Sequence, residues 1–547
     1  MTFKTFFSHS GLIVHARTTL FTPTLAVALL CSACTLGPDF VRPASPPVKN
    51  YTGKYESTTT FSAAGEAQSL APGKDIAGQW WKLFRSPELT ALIDQAIKHS
   101  PDLQAAQAAL VEAQENTSAK TGALFPALDA SFSDTRQKTS GALFGNPGAG
   151  GSLFTLYNAS VKVSYTLDVF GAIRREIEGL NAQADYQRFQ LEAAFLTLAG
   201  NIVTTVVQEA SLRAQIAATD VIIKAQTKQL DVIRQQFELG GLSKAAVLAQ
   251  QSTLEQTRTG LPPLQQQLSQ ARHRLSVLVG DVPGKELAAR FNLADLHLPE
   301  QLPLSLPSKL VQQRPDIRAQ ESVLHAAGAQ IGVVTASVFP NFTISASASS
   351  IATRIGDLFI PGSAIWSLGG NLLQPLFHGG EFTHTKRAAV AVYEQEAAQY
   401  RSTVLQAFQN VADTLTALKF DAAELNAQDA TERAALETLD MTRTQLQIGA
   451  VSYPALLTAE RDYQQAHIGR IKAQAARLAD TAALFQALGG GWWNRVDLAT
   501  VISTEQKKLK KPCQWWFCLD ELIGLDDLTG NKTLPENNTI PTQETNQ

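Results

Sequence analysis

Residues 100–133 read "SPDLQAAQAALVEAQENTSAKTGALFPALDASFS" and residues 314–347 read "RPDIRAQESVLHAAGAQIGVVTASVFPNFTISAS". Laid over each other without a gap, they bring together Pro101 and Pro315, Asp102 and Asp316, Leu110 and Leu324, Phe125 and Phe339, and Pro126 and Pro340. The match returns where Phe170 of "LDVFG" meets Phe377 of "QPLFHGG" and Tyr186 meets Tyr393. At an offset of 209 it pairs Arg234 with Arg443, Gln236 with Gln445, Gly240 with Gly449, Ser243 with Ser452, Leu248 with Leu457 and Gly280 with Gly489. The chain is a tandem duplication, with copies at 101–280 and 314–491. Residues 281–313, carrying Pro283, Pro299, Pro303 and Pro307, are the linker between them.

Each copy predicts the same order of elements. A proline at the first helical position, after Ser100 and again after Arg314, opens a helix of about 23 residues that ends before Phe125-Pro126 or Phe339-Pro340. Two strands follow. In "NFTISASAS" Phe342, Ile344, Ala346 and Ala348 alternate with Asn341, Thr343, Ser345, Ser347 and Ser349. That period of two marks a strand with one apolar and one wet face. Residues 153–168 repeat it, with Leu153, Tyr157, Val161, Val163, Tyr165 and Leu167 on one side and Asn158, Ser160, Lys162, Ser164, Thr166 and Asp168 on the other. No proline then appears between Phe170 and Pro262. Ile173, Ile177, Leu180, Ala184, Leu191, Phe195, Leu198, Ile202 and Val206 step along a coiled-coil seam. A helix from 171 to 239 is roughly 100 Å long. Gly240 takes its left-handed cap, Ser243 caps a return helix to about Val279, and Gly449 with Ser452 repeats the device. Return and opening helices stacked end to end give roughly 90 Å, so each copy lays two rods side by side.

Two copies supply four amphipathic strands, whereas a barrel that crosses a membrane must close and needs at least about eight. One chain cannot span alone; three would contribute twelve strands. The plainer alternative is a small soluble sheet beneath the helices.

The chain opens with Lys4 and Arg17 but no acid before residue 18, then the apolar run Leu20–Leu30. That run is far short of the roughly 20 residues a spanning helix needs, so residues 1–33 read as a cleaved signal peptide. Ser32 and Ala33 before Cys34 resemble a lipobox, with Cys31 where such boxes usually hold Leu. The expectation is acylation of Cys34, against ordinary cleavage nearby. Thr35, where Asp would favour retention in the inner membrane, fits passage to the outer one, and acyl chains would anchor the terminus. Residues 34–100 are expected to hold a lipidated extended segment and further small elements, and 492–547 a C-terminal segment with a partly disordered tail.

A net charge of −3 supplies no field that would recruit nucleic acid. Four cysteines do not make a disulfide framework, although Cys513 and Cys518 could close a short loop in an oxidising compartment. The nine histidines show no paired metal spacing, no G-x-S-x-G occurs, and "GNPGAGG" lacks the lysine of a phosphate cradle. No cofactor, metal or enzymatic activity is expected.

Taken together, "CTLGPDFVRP", "LPSKLVQQRPDIRAQE", "FPNFTISAS", "QPLFHGGE", "QNVAD" and "ALGGGWW" resemble the outer-membrane efflux lipoproteins of the TolC-like superfamily over about residues 34–495. The resemblance implies a mainly α fold with transmembrane β: a homotrimer whose twelve-stranded barrel in outer-membrane lipid continues into a long α-helical periplasmic barrel with a small equatorial domain. It implies a passive exit duct for small molecules in a tripartite pump, docked through a periplasmic adaptor to an inner-membrane transporter, often of the resistance-nodulation-division type. A conduit for secreted protein or a non-conducting periplasmic scaffold are the alternatives. Such ducts close near two helical tips, here Gly240–Ala249 and Gly449–Glu460. Where many relatives place aspartates, this chain has Ala455 and Thr458, with Glu460 and Asp462 close behind. The gate is then lined by Leu456, Leu457 and Thr458, or by Glu460; otherwise the leucines are coiled-coil core.

Overall fold

The computed structural model of the chain describes residues 35–52, 60–63, 66–140, 151–285, 287 and 289–495. The chain divides into two units, 1–493 and 494–547, and the sheets and long helices belong to the first. Cys34, Cys513 and Cys518 lie outside the described residues.

After a short helix, α1 (Pro87–His99), the first copy opens on α2 (Pro101–Thr121); the second, after α6 (Pro307–Gln313), opens on α7 (Pro315–Ala336). Proline suits both starts because the first N–H of a helix has no partner to lose. Ser100 Oγ accepts from the Leu103 N–H at 3.5 Å. In the second copy Arg314 stands at that place and its Nε reaches Asp316 at 2.9 Å, while Asp316 Oδ1 accepts from the Ile317 N–H at 2.9 Å.

Two long helices follow, α3 (Ala172–Glu238) and α8 (Glu381–Gln447), each of 67 residues and about 100 Å. Both begin after a left-handed glycine, Gly171 at φ 77° and Gly380 at φ 90°. They therefore correspond at an offset of 209 from end to end, so Tyr186 and Tyr393 are not equivalent. The turn Phe377–Gly380 is two residues longer than Phe170–Gly171 and absorbs the change. Asp168, expected on the wet face of a strand, instead caps α3: its carboxylate accepts from the N–H groups of Ile173 and Arg174, both at 3.0 Å.

The long helices end alike. The Gly241 N–H reaches Gln236 O at 2.8 Å and the Gly240 N–H reaches Phe237 O at 2.9 Å; Ala450 to Gln445 and Gly449 to Leu446 repeat the pair. This doubly bonded cap requires a positive φ, which glycine adopts without a Cβ clash. The return helices differ. The second is one piece, α9 (Tyr453–Ala487), whereas the expected single helix of the first is broken into α4 (Lys244–Thr259) and α5 (Leu261–Leu278). Gly260 is followed by Leu261, Pro262 and Pro263, and the prolines have no N–H for the carbonyls of Arg258 and Thr259. At the equivalent place α9 has Gly469 followed by Arg470, Ile471 and Lys472, and the ladder continues. Ser243 Oγ accepts from the Ala246 N–H at 3.4 Å, but Ser452 makes no such bond from the same position.

Helix α3 is packed by α2, α4 and α5 of its own copy and by α7 and α9 of the other. The seam residues Leu191, Phe195, Leu198, Ile202 and Val206 are buried, while Ile173, Ile177, Leu180 and Ala184 are half-buried. One stretch of α3 is apolar enough to cross a bilayer, but most of it is covered by neighbouring helices, which makes it a core element.

A belt sheet pairs β1 (Thr60–Ala63) antiparallel with β2 (Glu66–Pro72), and β2 parallel with β5 (Gln301–Leu304), which joins the segment before the first copy to the linker. Beside it Trp80, Trp81, Phe84 and Phe485 form a dry aromatic core, with Trp80 stacked on Phe485 at 5.2 Å. The second sheet has the order β3 (Ala127–Lys138), β4 (Leu153–Leu167), β6 (Asn341–Ala352), β7 (Ala364–Leu373), all antiparallel. Each copy contributes one hairpin, and β4 and β6 join them.

Candidate duct wall and helical tip

The register of the four-stranded sheet sorts its side chains into two surfaces. Leu128, Val163, Ala346 and Leu368 stand in one row across the strands, Ala130, Val161, Ala348 and Trp366 in the next, and Leu167, Phe342 and Leu372 in another. The opposite surface carries Asp129, Lys162, Ser347 and Ser367 in one row and Ser131, Ser160, Ser349 and Ile365 in its neighbour. Ser131 bonds Ser160 and Ser347 bonds Ser367, each at 2.8 Å. From Tyr157 to Leu167 a strand rises about 33 Å; tilted as barrel strands are, that covers an apolar band about 25 Å tall. Every residue of the edge strands β3 and β7 is exposed, Trp366 at 81% and Leu368 at 71%. A solvated sheet does not display such a face.

The segment that follows Cys34 is clipped to the foot of this sheet. The Leu36 N–H donates to Phe170 O at 3.2 Å, and Thr35 lies so close to Gly171 that a Cβ there would come within 2.7 Å of Thr35 Cγ2. Arg175, 4% exposed, donates from Nε to Leu36 O at 3.0 Å and from Nη2 to Asp39 at 2.7 Å. Its Nη1 reaches Glu178 at 2.7 Å, and Glu178 also meets His325 at 2.8 Å. Phe40 stacks on His325 at 4.2 Å, and Arg42 pairs with Glu321 at 2.8 Å. This is what "GPDFVRP" does: Gly37, at φ 100°, passes against Gly332 where no Cβ fits on either residue.

At the far end the two helical hairpins meet. Leu456, 2% exposed, packs with Ile233, Leu439, Tyr453 and Ala459 in the core of the tip. Glu460 is likewise buried, with Arg443 4.0 Å away, and it too is turned between helices. Burial pushes its carboxyl above the usual range, and Arg443 works against that shift. Ala455 and Leu457 are half-buried, and Thr458 is exposed. Thr458, Arg461 and Asp462 open on a groove of about 840 Å³ whose other wall includes Thr253, Gln256 and Thr257 of α4. Gly240 and Gly449 serve the turns themselves and have open space around them.

The residue that joins the hairpins was not singled out from the sequence. Tyr453 donates its hydroxyl to Gln250 Oε1 at 2.5 Å, and Gln250 Nε2 reaches Gln226 O at 3.2 Å. Burial, then Glu460, raises the Tyr453 phenol above its ordinary range, which keeps it a donor. The available signal was a tyrosine and two glutamines at positions where a helical seam otherwise wants aliphatics.

Residues 92–281 and 306–490 match the family described as outer membrane efflux protein. The chain is 30% identical over 446 residues to the pyoverdine export outer membrane protein OpmQ of Pseudomonas aeruginosa, which spans 79% of this chain and 92% of that protein. It is 28% identical over 485 residues to the toluene efflux pump outer membrane protein TtgC of Pseudomonas putida, spanning 87% and 96%. The solved Campylobacter jejuni CmeC outer membrane channel superposes with a TM-score of 0.78 at 20% identity, over 87% of this chain and 98% of that one. With both copies matched and the same architecture recurring, the chain belongs to the outer membrane efflux protein family and has its duplicated TolC-like fold.

Proposed function

We propose that three copies of this chain close their sheets into a twelve-stranded barrel that continues into the helices as a passive exit duct. Cys34 carries the lipid anchor. A periplasmic adaptor joins the helical end to an inner-membrane pump of the resistance-nodulation-division type, which supplies the energy. The register of the sheet carries this reading. Its rows are apolar on one surface and hydroxyl-rich on the other, while both edges are left unpaired, and in hydrocarbon an open edge is untenable. Closure by neighbours turns the apolar rows to lipid and the serines to an aqueous lumen. The clip at Gly171 supports the anchor assignment, because it holds Thr35 and Leu36, the first described residues of the chain, at the end of β4.

The cargo is small molecules chosen upstream. The two relatives named above are called after pyoverdine and toluene, dissimilar compounds, which supports a wall that does not select. The tip is narrowed by Ala455 and Thr458 where a carboxylate ring would otherwise stand, with Arg461 and Asp462 beside them. Planar-bilayer conductance tests the whole reading. The full chain is expected to insert as a trimer with a low basal conductance that rises when Tyr453→Phe loosens the tip. A stable trimer that never conducts, with or without that change, refutes the duct and leaves a scaffold.

A further inference from the structure

We infer that Asp421 of α8 and Asp480 of α9 share one proton and form a pH-operated clasp that holds the belt hairpin β1–β2 against the α8–α9 pair. Each copy carries a buried charge cluster midway along its long hairpin, and the two are built differently. In the first copy Glu209, 1% exposed, is held by Arg213 at 2.8 Å and Arg272 at 3.2 Å, and Arg272 Nη2 also donates to Leu287 O of the linker at 2.8 Å. That carboxylate is fully compensated. In the second copy the arginine is Arg477, wholly buried, and its guanidinium is committed to the hairpin: Nε to Gln68 Oε1 at 3.1 Å, Nη1 to Ala63 O at 3.2 Å, Nη2 to Glu66 O at 3.3 Å.

The carboxylates beside it are thus left largely to each other. Asp421 Oδ2 is buried without a donor among the described residues, and the group against it is Asp480. Two ionised carboxylates are acceptors only, so this contact becomes a hydrogen bond when one proton lies between them. The first copy has Leu212 and Ala271 at these two positions, both buried, which shows that the helical pair does not need carboxyls there to pack. The other charges around the pair are Glu424 on α8, Arg477 on α9 and Glu66 on β2. Burial, then Asp480, then Glu424 push Asp421 up to about 7, with Arg477 opposing. The folded value lies above the ordinary 3.8, so the contribution of this group is complete below about 4 and is lost as pH rises through about 7. Above that, the second negative charge repels the first across the α8–α9 seam and draws Arg477 off the carbonyls of Ala63 and Glu66.

Hydrogen exchange of the full chain in detergent, read at residues 66–72 and corrected for intrinsic rates, tests the clasp without reference to conductance. Opening of this segment is expected to be about tenfold more frequent at pH 8 than at pH 6. Asp421→Asn supplies a permanent donor to Asp480 and abolishes the difference; Asp480→Asn does the same. The pair Asp421→Leu with Asp480→Ala copies the first repeat and flattens the profile even if a single variant folds poorly. Equal exchange at the two pH values in the unaltered chain, or a tenfold difference that survives Asp421→Asn or the double variant, overturns the proposal.

Discussion

Helices α3 and α8 come from the same ancestral unit, share a length of 67 residues and carry the same glycine caps, yet 25 residues of α3 are buried and only 10 of α8. The difference lies in what packs on them. Helix α3 is ringed chiefly by five helices of its own chain, two of them from the other copy, with α1 adding a smaller contact, whereas α8 is covered chiefly by α7 and α9. Its remaining surface presents Leu405 at 65% and Phe420 at 62% exposure. Duplication gave two equal rods, and sequence divergence made one the axis of the protomer and the other a wall that needs a neighbour.

That contrast can be broken most sharply at α8. Leu405→Glu combined with Phe420→Glu is expected to leave helicity unchanged while abolishing the trimer in sedimentation, since each charge placed in a dry helix seam costs several kcal/mol. A persisting trimer would mean that this face of α8 meets water. Next in size is Ile202→Ala in α3, wholly buried, which should lower unfolding stability by about 2–5 kcal/mol, against less than about 1 for Val392→Ala on α8. Denaturant titrations compare the two. At the tips the copies should behave alike: Gly240→Ala and Gly449→Ala each cost about 1–2 kcal/mol in the left-handed cap, seen as faster exchange in the last turn of α3 or α8. Replacing Leu261-Pro262-Pro263 by the Arg-Ile-Lys of the other copy should join α4 to α5 and add helical signal in circular dichroism, with a gain of about 1 kcal/mol. The smallest effect is expected at Glu460. Its folded pKa is raised, so its contribution is complete at acid pH and lost as pH rises through the folded value. Glu460→Gln should therefore raise tip stability at pH 8 by under about 1 kcal/mol, with no gain at low pH.

Much of this architecture is legible in the residues because its determinants are local. Glycine caps, prolines at helix starts and the alternation of "NFTISASAS" each act within a turn or a strand pair, and the duplication states every signal twice. What the sequence hid depends on contacts far apart in the chain. That α7 would lie on α3, that Glu460 would turn inward, and that Tyr453 would reach Gln250 all follow from which faces meet, which periodicity does not specify; that Leu456 is core of the tip was one of the two readings the sequence offered. The break at Gly260 is local and legible: Pro262 and Pro263 are a stop, and the expected single return helix to about Val279 runs across them.

The unsatisfied margins of β3 and β7 carry a genetic consequence. If three chains close the barrel as proposed, a protomer that enters the bilayer must find both of its neighbours at once, so insertion and assembly form a single event with no half-built intermediate at rest in lipid. One faulty subunit then ruins the ring it joins. A copy with a blocked margin, expressed alongside the intact gene, should poison most of the rings formed, so that its phenotype is dominant.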